Sequence, residues 1–330
     1  MKPVRWALLT LVLLSAPLTA QGQGRSAGFM DLLLTPKFLV MLIVGLVALF
    51  LLLARQMRKG VRVALLLVST FLFGVAANLG GGFWSRFAMH PSPICAATKP
   101  FLYGLRIPFL VTLAVIFLLT LLGPKLYCSY VCPVGAVQEL ISMLADKLKI
   151  RRIKPSFRVT NRIRTGLFLV FLAVFVTGLA TVTVQGRRYP DSLYNYINAF
   201  HGMELEWNPG LLDNLIHYLP FILTVILAFK LYRPFCHLVC PIGLYTHYLE
   251  HLALFKYRRR SPQPDFCAKC QACIHQSPCR AIDGIMKGAL IHPDCFGCDR
   301  CAKICPEGFI GIKGNWGSSG QNSEGHPPTG

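Results

Sequence analysis

"YCSYVCPVGAVQEL", residues 127–140, and "FCHLVCPIGLYTHYL", residues 235–249, are one phrase written twice. In each, two cysteines stand four positions apart, proline follows the second, glycine comes two residues later, and a long apolar run precedes. The phrases align without gaps at an offset of 108 residues, Cys128 on Cys236, Cys132 on Cys240, Pro133 on Pro241 and Gly135 on Gly243. The preceding runs align too, with Ile107 falling on Leu215. Each motif runs into an amphipathic stretch, "VQELISMLADKLKI" or "YTHYLEHLALF", of the kind that lies along a membrane surface as a helix. On a helix, positions i and i+4 share a face with Cβ atoms about 5–6 Å apart, which is too wide for a disulfide unless the backbone bends. Two such pairs brought face to face make a four-thiolate site. The expectation is a redox or metal centre built from Cys128, Cys132, Cys236 and Cys240. The alternative is four buried, inert cysteines.

Composition says what surrounds the motifs. The 330 residues are 54% hydrophobic and 15% charged, and mean hydropathy is positive. Soluble domains average about 25% charged residues, so lipid is the expected solvent for much of the chain. Apolar runs at Phe38–Ala54, Val63–Leu79, Ile107–Leu122, Leu167–Val184 and Leu215–Leu231 read as five spans, each close to the ~20 residues a bilayer requires. Ahead of them, residues 1–24 have the basic start, apolar stretch and small residues of a signal peptide. An uncleaved first span is the rival reading. The fold expected is therefore an α-helical integral membrane protein of five spans plus a signal-like N-terminal segment, carrying a C-terminal two-cluster ferredoxin-like α+β domain.

Charge orients the spans. The net charge of +20 could point to nucleic acid, but the last 70 residues carry six basic and six acidic groups, so the whole excess lies earlier. It collects in links at the edges of apolar runs. Arg55, Arg58, Lys59 and Arg62 fill one link, nine basic against two acidic residues fill 124–165, and Lys230, Arg233, Lys256 and Arg258–Arg260 follow the last run. The intervening links, 80–106 and 185–214, have three basic residues, and two basic against four acidic. By the positive-inside rule both cysteine motifs and the C-terminal domain face the cytoplasm of a bacterial inner membrane, and nucleic acid is not a partner.

The tail carries a second repeat. Cys267, Cys270 and Cys273 are matched at an offset of 28 residues by Cys295, Cys298 and Cys301, and Cys305 follows just before Pro306. Triple-cysteine runs ending in Cys-Pro are poorly explained as zinc ribbons, which take paired C-x-x-C units. They match two-cluster ferredoxins, where the fourth cysteine reaches across to the other cube. The expected ligand sets are Cys267, Cys270, Cys273 with Cys305, and Cys295, Cys298, Cys301 with Cys279, for two [4Fe-4S] clusters. In "CIHQSPCRAI", Ser277 stands where the usual pattern has cysteine and Cys279 comes two residues late. Either a longer loop delivers Cys279, or a serine or an open position takes that corner.

The order of elements, span, C-x-x-x-C-P, span, C-x-x-x-C-P and two-cluster tail, resembles the polyferredoxin-like 4Fe-4S membrane electron-transport proteins of the NapH, MauN, YccM and NosR type. The resemblance covers about residues 107–313. It implies an electron-transfer subunit of quinol dehydrogenase type, passing electrons between membrane quinone and a partner redox protein (a reductase, a cytochrome or a second ferredoxin subunit), rather than a stand-alone enzyme. Alternatives of other classes are an accessory metal (copper) reductase for oxidase assembly, and a redox sensor. No S-G-A-T sequence is present, so a covalent flavin is not expected.

On this reading residues 1–24 are a signal peptide or first span, 25–106 a two-span region, 107–260 the duplicated membrane core, 261–313 the ferredoxin domain and 314–330 a disordered tail. His90 with Cys95 on the periplasmic side read as a metal or docking pair or as an ordered loop. His201, His217, His237 and His247 are candidates to face a quinone. "LGGGFW", residues 79–84, lacks the G-K-[ST] of a phosphate loop and reads as a close-approach turn.

Overall fold

The computed structural model describes residues 29–76, 84–87, 96–97, 100, 106–177, 181–184, 187–190, 222–259, 270–289, 294–305 and 308–314. A short helix, α1 (Phe29–Leu33), leads into α2 (Pro36–Leu53). Proline in the first turn of α2 wastes no hydrogen bond, and its 18 residues extend about 27 Å. It is apolar on every side: Phe38, Met41, Ala48 and Leu52 face the protein, while Leu39, Ile43, Leu46 and Phe50 lie exposed. Of the helices described, α2 alone combines the length and apolarity of a bilayer span.

The other expected spans are helical but differ in extent. Helix α3 (Lys59–Thr70) runs into a π-turn at Phe71–Val75, and α4 (Ile107–Leu122) is a shorter apolar helix of 16 residues. Helices α2 and α4 pack so closely at Gly45 that a Cβ there would lie 2.5 Å from the Leu119 side chain. Helix α6 (Phe157–Thr177) begins well ahead of Leu167 and takes Arg158, Arg162 and Arg164 into its first turns. The apolar run expected to continue to Val184 does not do so as helix. Thr181–Val184 form β1, paired antiparallel with β2 (Arg187–Pro190). All four residues of β1 are β-branched and favour extended backbone. Of the fifth run, the described helical part is 222–227.

After α4 the chain makes a π-turn (Tyr127–Val131) and enters α5 (Pro133–Lys147). After 222–227 it makes another (Phe235–Val239) and enters α7 (Pro241–Leu249), which a short 3-10 turn extends to Leu252. Helix α5 turns small and polar residues inward, Gly135, Ala136, Gln138, Glu139, Ser142 and Ala145, and leaves Leu144 and Leu148 exposed.

The tail is closed by a two-stranded antiparallel sheet. Strand β3 (Phe255–Arg259) follows closely on α7 and its 3-10 turn, and β4 (Ile310–Gly314) ends the described chain, with Phe255 opposite Gly314 and Arg259 opposite Ile310. Between them lie α8 (Ala272–Gln276), α9 (Ala281–Met286) and α10 (Arg300–Ile304). Tyr257, Ile282, Ile285, Phe309 and Ile310 form a small core with Cys295 and Cys301. Phe296 belongs instead to the large core made by α2, α4 and the two π-turns. The cysteine loop of the tail is thus seated inside the packing of that large core.

Candidate metal centre

The duplication is reproduced in backbone detail. Lys125 and Arg233, at matching positions, both adopt left-handed backbone, with φ of 50° and 47°. Each π-turn then closes onto its second cysteine, the Cys132 amide donating to the Tyr127 carbonyl and the Cys240 amide to the Phe235 carbonyl, both at 2.9 Å. Cys132 and Cys240 are extended (ψ 120° in each) and start the next helix at proline. The simple i, i+4 helical spacing expected from the sequence is therefore corrected. The first cysteine lies within a π-turn and the second beyond its end, because proline cannot donate the amide that would continue the helix. Glycine two residues after proline is required by space. A Cβ on Gly135 would lie 2.3 Å from the Cys128 carbonyl oxygen, and one on Gly243 2.6 Å from that of Cys236.

The four thiols are gathered in one electrostatic neighbourhood. Burial pushes the Cys128 thiol up, and charge on Cys132 or Cys240 pushes the same way. Burial likewise raises Cys236, where Cys240, Cys132 and Cys128 all contribute, and takes Cys240 up to about 12. Cys132 is raised by burial, while the amides of Gly135 and Val134 favour its thiolate. The amides of Gly243 and Ile242 act on Cys240 in the same way. Thiols so placed stay protonated unless a cation shares the site. Among the described residues no three His, Cys, Asp or Glu side chains converge tightly enough for a single metal ion. A four-iron cube holds its ligand sulfurs farther apart than one ion does.

Around the thiols stand buried cations. Lys125, Arg233 and Arg164 are all at most 1% exposed. Arg233 crosses from the second repeat to the first, donating to the carbonyls of Cys128 (2.6 Å) and Ser129 (3.2 Å). Arg233 and Lys125 both favour a Cys128 thiolate, and Arg164 favours a Cys240 thiolate. Four thiolates on a four-iron, four-sulfide cube carry net negative charge, and a pocket ringed with cations suits that anion. Donor type, burial and charge all fit a cluster.

One acid organises the cations. Glu139, fully buried on α5, forms an ion pair with Arg62 (2.8 Å) on α3 and accepts hydrogen bonds from Arg233 (3.0 Å) in the second repeat and Arg300 (2.9 Å) in the tail. Burial opposes its ionisation, yet the three guanidinium groups hold the carboxyl well below the usual range. The sequence names none of Lys125, Arg164, Arg233 and Glu139 as a site residue, and Arg233 figures there only as one charge of a basic link. The 108-residue offset, which sets Lys125 on Arg233, was the available signal for two of them.

The tail docks onto this site through its own backbone. Ser129 donates to the Phe296 carbonyl, Tyr130 to that of Gly297 (2.9 Å), and Arg62 to that of Cys298. Gly297 has φ +59°, and a Cβ there would meet Pro124 at 3.0 Å, so any other residue is strained in both backbone and space. Phe296 packs edge-on against His237 at 4.9 Å. The ring Nδ1 of His237 lies 2.7 Å from the Tyr232 carbonyl and its Nε2 3.8 Å from Asp294, so this histidine is engaged by the tail.

Within the tail the 28-residue repeat is visible too. Gln271 and Asp299, each following the second cysteine of its run, are left-handed (φ 44° and 58°), and each starts a short helix carrying the third cysteine. Cys279, Cys295, Cys298 and Cys301 share an electrostatic neighbourhood. Burial raises Cys279 to about 12 and Cys298 adds to it, while Cys279 in turn raises Cys295 and Cys301. Ser277 is buried and donates to the Cys279 carbonyl at 2.8 Å, shaping the turn that brings Cys279 inward. Cys305 accepts the Phe309 amide at 3.2 Å. Cys273 is half-buried and Cys270 exposed. Cys267, Cys95, His90, His201, His217, the leader at 1–24, residues 79–83 and 315–330 lie outside the described residues.

A family model described as a 4Fe-4S binding domain matches the chain twice, at residues 105–151 and 214–260. These are the two halves of the duplication, and they contain Cys128, Cys132, Cys236 and Cys240 but none of the tail cysteines. The chain is 27% identical to the regulatory protein NosR of Stutzerimonas stutzeri over 54% of its own length, and 27% identical to the protein NirI of Paracoccus denitrificans over 69%. It is also 27% identical to the putative electron transport protein YccM of Escherichia coli over 59% of its length. It spans only 23%, 29% and 52% of those three relatives, respectively. No solved structure matches. The doubled 4Fe-4S module and these relatives bear out the resemblance read from the motifs: the chain is similar to the ferredoxin-type iron–sulfur electron-transport proteins.

Proposed function

We propose that this chain is a membrane-embedded iron–sulfur electron-transfer protein of the bacterial cytoplasmic membrane. It passes electrons between the quinone pool and a partner redox protein, as a quinol dehydrogenase-type subunit. One observation carries this reading: thiols from both halves of a duplication are buried together beside Lys125, Arg233 and Arg164, directly against the tail's own cysteine loop. The all-round apolar surface of α2, with exposed Leu169 and Val170 on α6 and Ile222, Leu223 and Ile226 on 222–227, supports lipid contact. The basic links support a cytoplasmic tail.

On this reading Cys267, Cys270, Cys273 and Cys305 hold one [4Fe-4S] cluster, and Cys295, Cys298, Cys301 and Cys279 hold the other. Cys128, Cys132, Cys236 and Cys240 hold a further centre. Bound there, the clusters supply reversible one-electron transfer. The chain itself does the rest. Buried cations stabilise the anionic sites, apolar walls exclude water, and Ser129, Tyr130 and Arg62 hold the tail loop against the core so that the centres stay in a fixed relation.

The test is anaerobic purification in detergent with iron and acid-labile sulfide analysis and EPR. About eight irons per chain are expected from the tail, and about twelve with the core centre. Cys128→Ser with Cys240→Ser should remove about four irons and leave the tail signals in place. Adding a quinol analogue should change the redox state of the signals. Protein without sulfide, or signals indifferent to every quinol, would overturn the proposal.

A further inference from the structure

A basic cleft opens between the start of α3, the far end of α5 and the tail. Its wall carries Lys59, Arg151, Arg152, Lys154, Arg300 and Lys303, and Asp146 is the one acid among the described residues lining it. Arg152 and Arg300 pair with Asp146, Arg300 also with Glu139 behind the wall and Lys303 with Asp299, while among the described residues Lys59, Arg151 and Lys154 form no ion pair, so the wall stays positive. Lys59 and Arg151 are exposed at its edge. Cys298 is part of the wall, while Cys295 and Cys301 are buried behind it. Met143, Pro278 and Ile304 add apolar surface.

We propose that this cleft is the docking port for a soluble, acidic, one-electron carrier protein. This rests on the reading of Cys298 as a cluster ligand. Three observations select the occupant. Cys298, a described tail thiol, forms part of the cleft wall. A nicotinamide delivers two electrons as hydride, whereas an iron–sulfur centre takes one at a time, so the direct partner is a one-electron carrier. The wall's charge calls for an acidic face, which steers encounter and sets orientation. The exchange balances simply: the reduced carrier loses one electron, the centre held by Cys298 gains it, and no bond or proton moves. The reverse transfer uses the same contact. Anionic lipid would answer the charge, but a cysteine in the wall serves it no purpose.

The experiment uses the full chain in nanodiscs and a flavodoxin as the acidic probe. Calorimetry of oxidised flavodoxin should show binding at low salt that weakens steeply as salt rises. Lys59→Glu with Arg151→Glu should lower the affinity at least about tenfold and flatten the salt dependence. Reduction by flavodoxin hydroquinone should slow in parallel, while reduction by methyl viologen radical, which needs no port, stays at the wild-type rate. Flavodoxin binding of wild-type strength in the variant would overturn the port. So would an equal loss with methyl viologen. So would phosphatidylglycerol vesicles binding through Lys59 and Arg151 with no flavodoxin binding at any salt. Protein lacking iron would defeat the functional reading instead, and calorimetry would still report on the cleft.

Discussion

In the first half of the duplication Lys125 turns left-handed, the π-turn Tyr127–Val131 follows, and Cys132 starts a proline-led helix. In the second, Arg233, Phe235–Val239 and Cys240 do the same. Around that shared backbone the side chains part. Ser129 donates to the tail, whereas its counterpart His237 packs against Phe296 and faces Asp294. Glu139 gathers three arginines, whereas its counterpart His247 packs against Phe157 at 5.3 Å. Presentation of the thiols depends on backbone geometry and is held in common. Docking of the tail depends on side chains and has specialised, with the first half receiving the loop and the second lending Arg233 to hold it.

The comparison breaks most sharply at Glu139. Glu139→Gln leaves buried guanidinium groups without their counter-charge and should cost about 3–5 kcal/mol, seen as an early thermal transition in detergent and loss of tail protection from protease. His247→Gln, at the matching position, should cost much less. The acid also predicts a pH response. Its folded pKa lies below the unfolded value, so its contribution is complete above the unfolded carboxylate range and drains away as pH falls below about 4. In Glu139→Gln that part of the acid profile should flatten.

The shared backbone is tested next. Gly135→Ala and Gly243→Ala each drive a methyl into a carbonyl oxygen and should cost about 1–3 kcal/mol, with Gly135 the worse because its contact is closer. Thermal unfolding of both variants checks the ranking; a harmless Gly243→Ala would mean the halves do not share the constraint. Gly297→Ala, strained at positive φ, should cost about 1–2 kcal/mol and act on tail docking alone, read by hydrogen exchange in the 296–298 loop. The smallest effect is a gain. Gly166→Ala, within α6 with nothing near its Cβ position, should stabilise by about 0.5–1 kcal/mol.

The chain's order announces its duplication, its two sets of cysteines and the basic links between its apolar runs, since spacing, hydropathy and charge are local and covalent properties. The start of α4 at Ile107 and its end at Leu122 could be read that way. The end of the fourth apolar run could not, because hydropathy does not tell a β-branched strand from a helix. Only the tertiary structure bent the cysteine motifs into π-turns and set left-handed lysine and arginine before them. It alone brought Glu139 to arginines 94 and 161 residues away and seated Phe296 in the core made by α2, α4 and the two π-turns. A buried charge is tolerated only where distant partners converge on it, and convergence is a property of packing that no spacing along the chain records.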